Sequence, residues 1–229
     1  SGTYAPDDLG KYAWVAEDQI HWYQQTSSAL AEQNGGRPLP AFAFQHIIVP
    51  EIYHTLTEVP PGTAGALAGK FSRTGTYYLP NPDYILSGSV NEAPAPPDYN
   101  SGEFTAWKNQ GDIIAAFFGH DHTNDYTAAW QGIDLIATPG IGFFMYGNGE
   151  YHGTRTVTLH ENDLLNYSTT LLYYKDIVAE PLPPGIIPTY GAFVQQIVRT
   201  VLASLAALAI CIGLLAWVIH REKQRKKEN

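Results

Sequence analysis

Three histidines in this 229-residue chain stand where their type and spacing could do chemistry. His120 and His122 lie two residues apart in GHDH, directly after the apolar run DIIAAFF, and His46 follows a second apolar run, AFAF. In extended backbone the side chains at i and i+2 point the same way, about 6.6 Å apart. Imidazole–metal bonds are about 2.1 Å long, and paired catalytic ions sit about 3.5–4 Å apart. His120 and His122 could therefore converge on neighbouring ions, one each. Gly119 lets the backbone turn sharply into such a site. A bare H-x-H, however, is more often a pair of surface loop histidines.

The positioning elements can be read around these residues. Histidines that end apolar strands suit an open α/β sheet, where sites gather at the carboxyl ends of strands. Residues 41–49, AFAFQHIIV, and 112–118, DIIAAFF, read as buried strands. Glu17 to Gln33 reads as a helix, with acids in its first turn and Gly35-Gly36 as its stop. Glu103 to Asn109 suits a short helix ended by Gly111. Tyr126–Trp130 and Ile133–Thr138 flank Gln131-Gly132 as a hairpin, and Arg155–Leu159 and Leu171–Tyr174 read as further strands. A long stretch, roughly 57–100, rich in Gly, Pro, Tyr and Asn, reads as an irregular loop. The expected class is α/β, stacked sheets covered by helices.

Charge and cysteine narrow the chemistry. Residues 1–198 carry seven Lys/Arg against twenty Asp/Glu, a net −13, which argues against extended nucleic-acid binding. The single Cys211 lies in the apolar C-terminal run, so any metal upstream must be held by His, carboxylate, amide or water. That run, Val201 to Ile219, holds nineteen residues without a charge and is followed by five Lys/Arg in the last nine residues. It predicts a transmembrane helix within 193–220 after a Pro-rich linker, 180–192. The positive-inside bias predicts a basic cytoplasmic tail, 221–229, and residues 1–179 outside the cell. The opening residues, SGTYAPDD, read as a cut inside a longer protein.

The string FFGHDHTND resembles the final motif, G-H-x-H, of the calcineurin-like metallophosphoesterases, and more narrowly their purple-acid-phosphatase-like branch. That branch also shows W-[FY]-x-x-T-S and then A-F-F-H-I-P-x-P-E-Y. Here HWYQQTSSAL stands at 21–30 and AFAFQHIIVPEIY at 41–53, with Ile48 where the branch favours Pro. NSGEF at 100–104 and GIGFFMYGNGEYHGTRTV at 140–157 continue the likeness, which runs in order over roughly 1–160.

The resemblance implies the C-terminal part of a four-layer α/β/β/α sandwich. It also implies a dinuclear centre of divalent or trivalent ions (Mn, Fe or Zn) that hydrolyses a small phosphate ester. By this likeness His46 and His120 bind one ion and His122 the other. Asp121, Asn124 and Asp125 are expected to be supporting or structural residues rather than ligands. Glu51 and His54 could meet substrate, with surface hydrogen bonding the plainer reading; His21, His152, His160 and His220 are expected to have no role. The earlier motifs of the superfamily, D-x-H, G-D-x-x-D and G-N-H-[DE], are absent, and with them the catalytic His. Asn148 in GNGE lacks the following His. The remaining ligands are expected in an N-terminal half upstream, and this piece by itself should be inactive. The rival from another class is a non-catalytic, membrane-anchored surface protein, with Tyr77, Tyr78, Tyr84 and Tyr99 available for carbohydrate or peptide contacts.

Overall fold

Why the histidines can meet follows from one run of residues, Ile113–Phe118. In the computed structural model, which describes residues 10–142, 145–180, 197–213 and 217, this run is a strand with an apolar side chain at every position. An unbroken apolar strand belongs in the middle of a sheet covered on both faces. Ten strands are described: β1 (Ala41–Phe44), β2 (Leu56–Val59), β3 (Leu67–Ala68), β4 (Tyr77–Pro80), β5 (Ile85–Ser87), β6 (Ile113–Phe118), β7 (Thr127–Trp130), β8 (Ile133–Ala137), β9 (Gly153–His160) and β10 (Asp163–Tyr173). Five of them form the main sheet in the order β1-β6-β8-β7-β5. β6 pairs in parallel with both β1 and β8, whereas β7 is antiparallel to β8 and β5.

The two faces of β6 serve two cores. Ala116 and Phe118 join Ile48, Val49, Ile52, Phe104, Trp107, Tyr126 and Leu135 in the larger one. This lies beneath helices α1 (Glu17–Gln33) and α2 (Glu103–Gln110). Ala115 and Phe117 meet Ile136 on the other face, where Phe42, Val157 and Tyr167 pack against them. Val157 and Tyr167 belong to the antiparallel β9–β10 pair, so a second, two-stranded sheet covers that side. The result is mixed α/β, as the alternation of helix and strand signals implied. The Tyr23 hydroxyl of α1 donates to Asp112, just before β6, and so pins the helix to the sheet.

Several expected elements have the expected place with different bounds. α2 stops at Gln110, and Gly111 follows it in the left-handed region at φ 71°. The β7–β8 turn takes positive φ at both central residues, Gln131 at 48° and Gly132 at 81°, as a tight hairpin with right-handed strand twist requires. β1 ends at Phe44 rather than Val49, because after His46 the chain turns away from the sheet to run into the 3-10 turn Pro50–Thr55. Residues 57–100 are not one irregular loop. They contain β3, β4 and β5 and most of β2; β2, β4 and β3 form a small antiparallel sheet, and β5 closes the edge of the main one. The short strands, interrupted by Gly and Pro, concealed this in the sequence.

The membrane prediction is overturned. Among the described residues no helix is long and apolar enough to cross a membrane. The described helical run, 197–213, has seventeen residues including Arg199. The single-pass anchor falls with that prediction, and so does the assignment of an outer domain and a cytoplasmic tail. Residues 181–192 of the expected linker, His220 and the basic tail 221–229 lie outside the described residues. The chain divides into two units, Ser1–Ile187 and Pro188–Asn229, and everything that follows concerns the first.

Candidate metal centre

Parallel pairing of β1 with β6 brings the first two histidines together. The pairing continues past the strand ends, where Gln45 N–H donates to the Phe117 carbonyl and Gly119 N–H donates to that of His46, both at 3.1 Å. His46 and His120 therefore leave adjacent strands at the same edge. Nε2 of His46 lies 3.1 Å from Nδ1 of His120, with the rings 4.9 Å apart and nearly perpendicular. Tyr12 sets its ring edge-on to His120 at 4.6 Å. Burial, then the neighbouring His46 and Lys70, push the His120 imidazole down to about 4, so it is neutral at pH 7.

His122 is held differently. Its ring stacks on Tyr146 at 4.6 Å, and its Nδ1 lies 2.9 Å from the Tyr146 carbonyl oxygen. A carbonyl only accepts, so Nδ1 carries the proton and Nε2 presents its lone pair elsewhere. The fold thus brings His46 and His120 together as a pair. Among the described residues no three or more His, Cys, Asp or Glu side chains are grouped so as to hold an ion.

The three polar residues of the same loop face the backbone of a strap, residues 89–95, rather than the imidazoles. Asn124 is fully buried; its Oδ1 accepts from Asn91 N–H and Glu92 N–H, and its Nδ2 donates to the Glu92 carbonyl. Asp125 accepts from Ser89 N–H at 2.6 Å and from the Tyr173 hydroxyl at 2.7 Å. Asp121 accepts from Ala95 N–H at 3.3 Å, and its other oxygen faces Lys70 at 3.8 Å. Burial raises the Asp121 carboxyl to about 7 despite that ammonium.

Sequence reasoning missed the residue at the centre of this network. Glu92 accepts from the Thr123 amide and hydroxyl and from the Tyr146 hydroxyl, and it pairs with Lys70 at 2.7 Å. Burial alone would raise its carboxyl, but Lys70 and the Thr123 bonds hold it below the usual carboxylate range. A solitary acid inside the Ala/Pro stretch NEAPAPP was the available signal. Glu51, expected at the surface, is 9 % exposed. His54 instead stacks on Trp130 at 4.8 Å, and His152 is buried, its ring nitrogen 2.7 Å from the Gly149 carbonyl.

The comparisons with known proteins agree with the class of protein this arrangement suggests. No protein-family model matches the chain, and no solved structure matches it. Three curated proteins of Arabidopsis thaliana do. Probable inactive purple acid phosphatase 14 is 30% identical over 148 residues, 64% of this chain and 32% of its own length. Probable inactive purple acid phosphatase 28 is 28% identical over 141 residues, 62% of this chain and 29% of its own length. Probable inactive purple acid phosphatase 29 is 26% identical over 143 residues, 59% and 30%. The chain spans about a third of the length of these relatives. The likeness supports the metallophosphoesterase superfamily, through relatives whose names carry the word inactive.

Proposed function

We propose that this chain supplies the last ligands of a two-metal centre for phosphate-ester hydrolysis, within the C-terminal part of a four-layer α/β/β/α sandwich. The observation that carries the reading is the 3.1 Å separation of His46 Nε2 and His120 Nδ1. Two nitrogens bonded at about 2.1 Å to one ion at adjacent positions stand roughly 3.0–3.4 Å apart, so the pair fits a shared ion. His122, with Nδ1 committed to a carbonyl, offers Nε2 to a second ion. Two such ions would neutralise the phosphoryl oxygens and activate water for in-line attack.

The chain's own residues then have distinct parts. His46 and His120 offer ring nitrogens at the strand ends, while Glu92 and Asn124 fix the loop that presents His120 and His122. Three imidazoles are too few for two ions, so the remaining ligands come from residues outside this chain, and the chain alone is inactive. A second reading, a non-catalytic protein that keeps the fold, is favoured by the word inactive in the relatives' names. The test is calorimetric titration of Mn²⁺ or Zn²⁺ into the wild type and into His120→Ala, followed by turnover of a chromogenic aryl phosphate by the intact protein. Equal metal affinity in the two would remove His120 from the centre. Metal binding without turnover in the intact protein would favour the second reading.

A further inference from the structure

Among the described residues His120 touches two rings, and only one of them is an imidazole. His46 stands nearly perpendicular to it at 4.9 Å, and Tyr12, in the chain before α1, does the same at 4.6 Å. Phe71 packs on Tyr12 in turn, at 5.0 Å and 89°. A row of rings from three segments therefore ends on His120.

Phe71 holds its place in that row against its own backbone preference. Its φ of 54° lies in the left-handed region, where a bulky side chain is an outlier. The turn around it is closed by the Gly69 N–H, which donates to the Thr76 carbonyl at 2.8 Å, and by the Arg73 N–H, which donates to that of Lys70 at 3.0 Å. Lys70 is anchored in turn by Glu92. Asp98 ties this turn to the chain before α1. It accepts the Ser72 N–H at 3.2 Å, the Ser72 hydroxyl and the Lys11 N–H, so the neighbours of Phe71 and of Tyr12 share one carboxylate. Strain in a non-glycine backbone persists only where the surroundings over-determine it, and it gathers at functional sites.

What the row accomplishes follows from the freedom it removes. A histidine at a strand end turns about two side-chain bonds, and ordering such a side chain on binding weakens affinity by about two- to tenfold. An ion shared by His46 and His120 needs Nε2 of one turned towards Nδ1 of the other, the arrangement seen at 3.1 Å. We infer that Tyr12 is a positioning residue for the metal centre, its ring, backed by the strained Phe71, holding the His120 imidazole in the orientation a shared ion requires. This role rests on the reading of His46 and His120 as ligands of one ion.

The test takes two readouts on the 229-residue chain: Zn²⁺ affinity by calorimetry, and carbon-13 relaxation at His120 Cε1 in the metal-free chain. Tyr12→Ala should bind Zn²⁺ about two- to tenfold more weakly and should set the His120 ring moving on the picosecond-to-nanosecond scale. Tyr12→Phe should restore both, because the ring rather than the hydroxyl makes the contact. Phe71→Ala should shift both in the same direction, and the double variant should be no worse than Tyr12→Ala, since Phe71 acts through Tyr12. A purely structural Tyr12 would lower the melting temperature and leave both readouts of the folded variant unchanged. Either readout at its wild-type value in folded Tyr12→Ala, or a Tyr12→Phe that behaves like Tyr12→Ala, overturns the inference; additive losses in the double variant overturn the part given to Phe71. Should Tyr12→Ala not fold, Phe71→Ala carries the same two readouts. Equal Zn²⁺ affinity in wild type and Tyr12→Ala, with the loss retained in His120→Ala, removes this role alone. A wild type that binds no Zn²⁺ removes the shared ion and this role together.

Discussion

Glu92 Oε1 accepts both the backbone N–H and the hydroxyl of Thr123, at 3.0 and 2.9 Å, across 31 residues of sequence. One carboxylate thereby locks the loop carrying His120 and His122 to the strap at 89–95, and Lys70 completes the lock from a third segment. The loop 119–125 owes its shape to this contact.

Removing that carboxylate leaves the Thr123 N–H buried without its acceptor and Lys70 without its closest partner. Glu92→Ala should lower stability by about 2–4 kcal/mol, and Glu92→Gln by less, since an amide oxygen can still accept. Urea midpoints measure it. A loss under about 1 kcal/mol would mean the pair behaves as an exposed ion pair and the lock is unimportant.

The junction of α1 with the sheet makes a separate prediction. Asp112 is buried, and the Tyr23 hydroxyl donates to it. Tyr23→Phe keeps the ring and deletes that donor, so it should cost about 1–3 kcal/mol. Thermal melts at constant pH would show it; an unchanged melting temperature would mean α1 is held by ring packing alone.

Glu103 gives stability a pH dependence of known sign. Its carboxyl is raised from the ordinary 4.5 to about 7, chiefly by burial, so the folded chain favours the protonated form. The contribution is complete below about pH 4.5 and is lost as pH rises through about 7, amounting to no more than about 3 kcal/mol. Glu103→Gln should remove this component from the pH profile of the unfolding free energy. A profile as steep as that of the wild type would contradict it.

Gly88 approaches the loop that carries His120 and His122 closely. At φ +76°, a Cβ there would stand 2.5 Å from the Asp125 carbonyl oxygen and 2.7 Å from the Tyr126 Cα. Gly88→Ala should therefore lose more stability than Gly62→Ala, which has a similar φ of +84° and open space around it. The Gly62 variant reports backbone strain, about 1 kcal/mol, and the excess in Gly88→Ala reports the contact with Asp125. Equal losses in paired urea titrations would show that the loop yields freely.

The sequence by itself determined the elements whose signals are local. The acids opening α1, the Gly111 stop after α2, the Gln131-Gly132 turn and the unbroken apolarity of β6 each act within a few residues, so periodicity and turn chemistry reveal them. It also marked the strand-end histidines as candidates. Only the tertiary structure decided which of them meet. His46 and His120 are 74 residues apart and join because β1 lies parallel to β6. The buried roles of Glu92 and Glu51 and the strands hidden in 57–100 were likewise undecided by composition. Burial and pairing depend on which segments pack together, and a single acid in a Pro-rich run carries no trace of the partner that will enclose it.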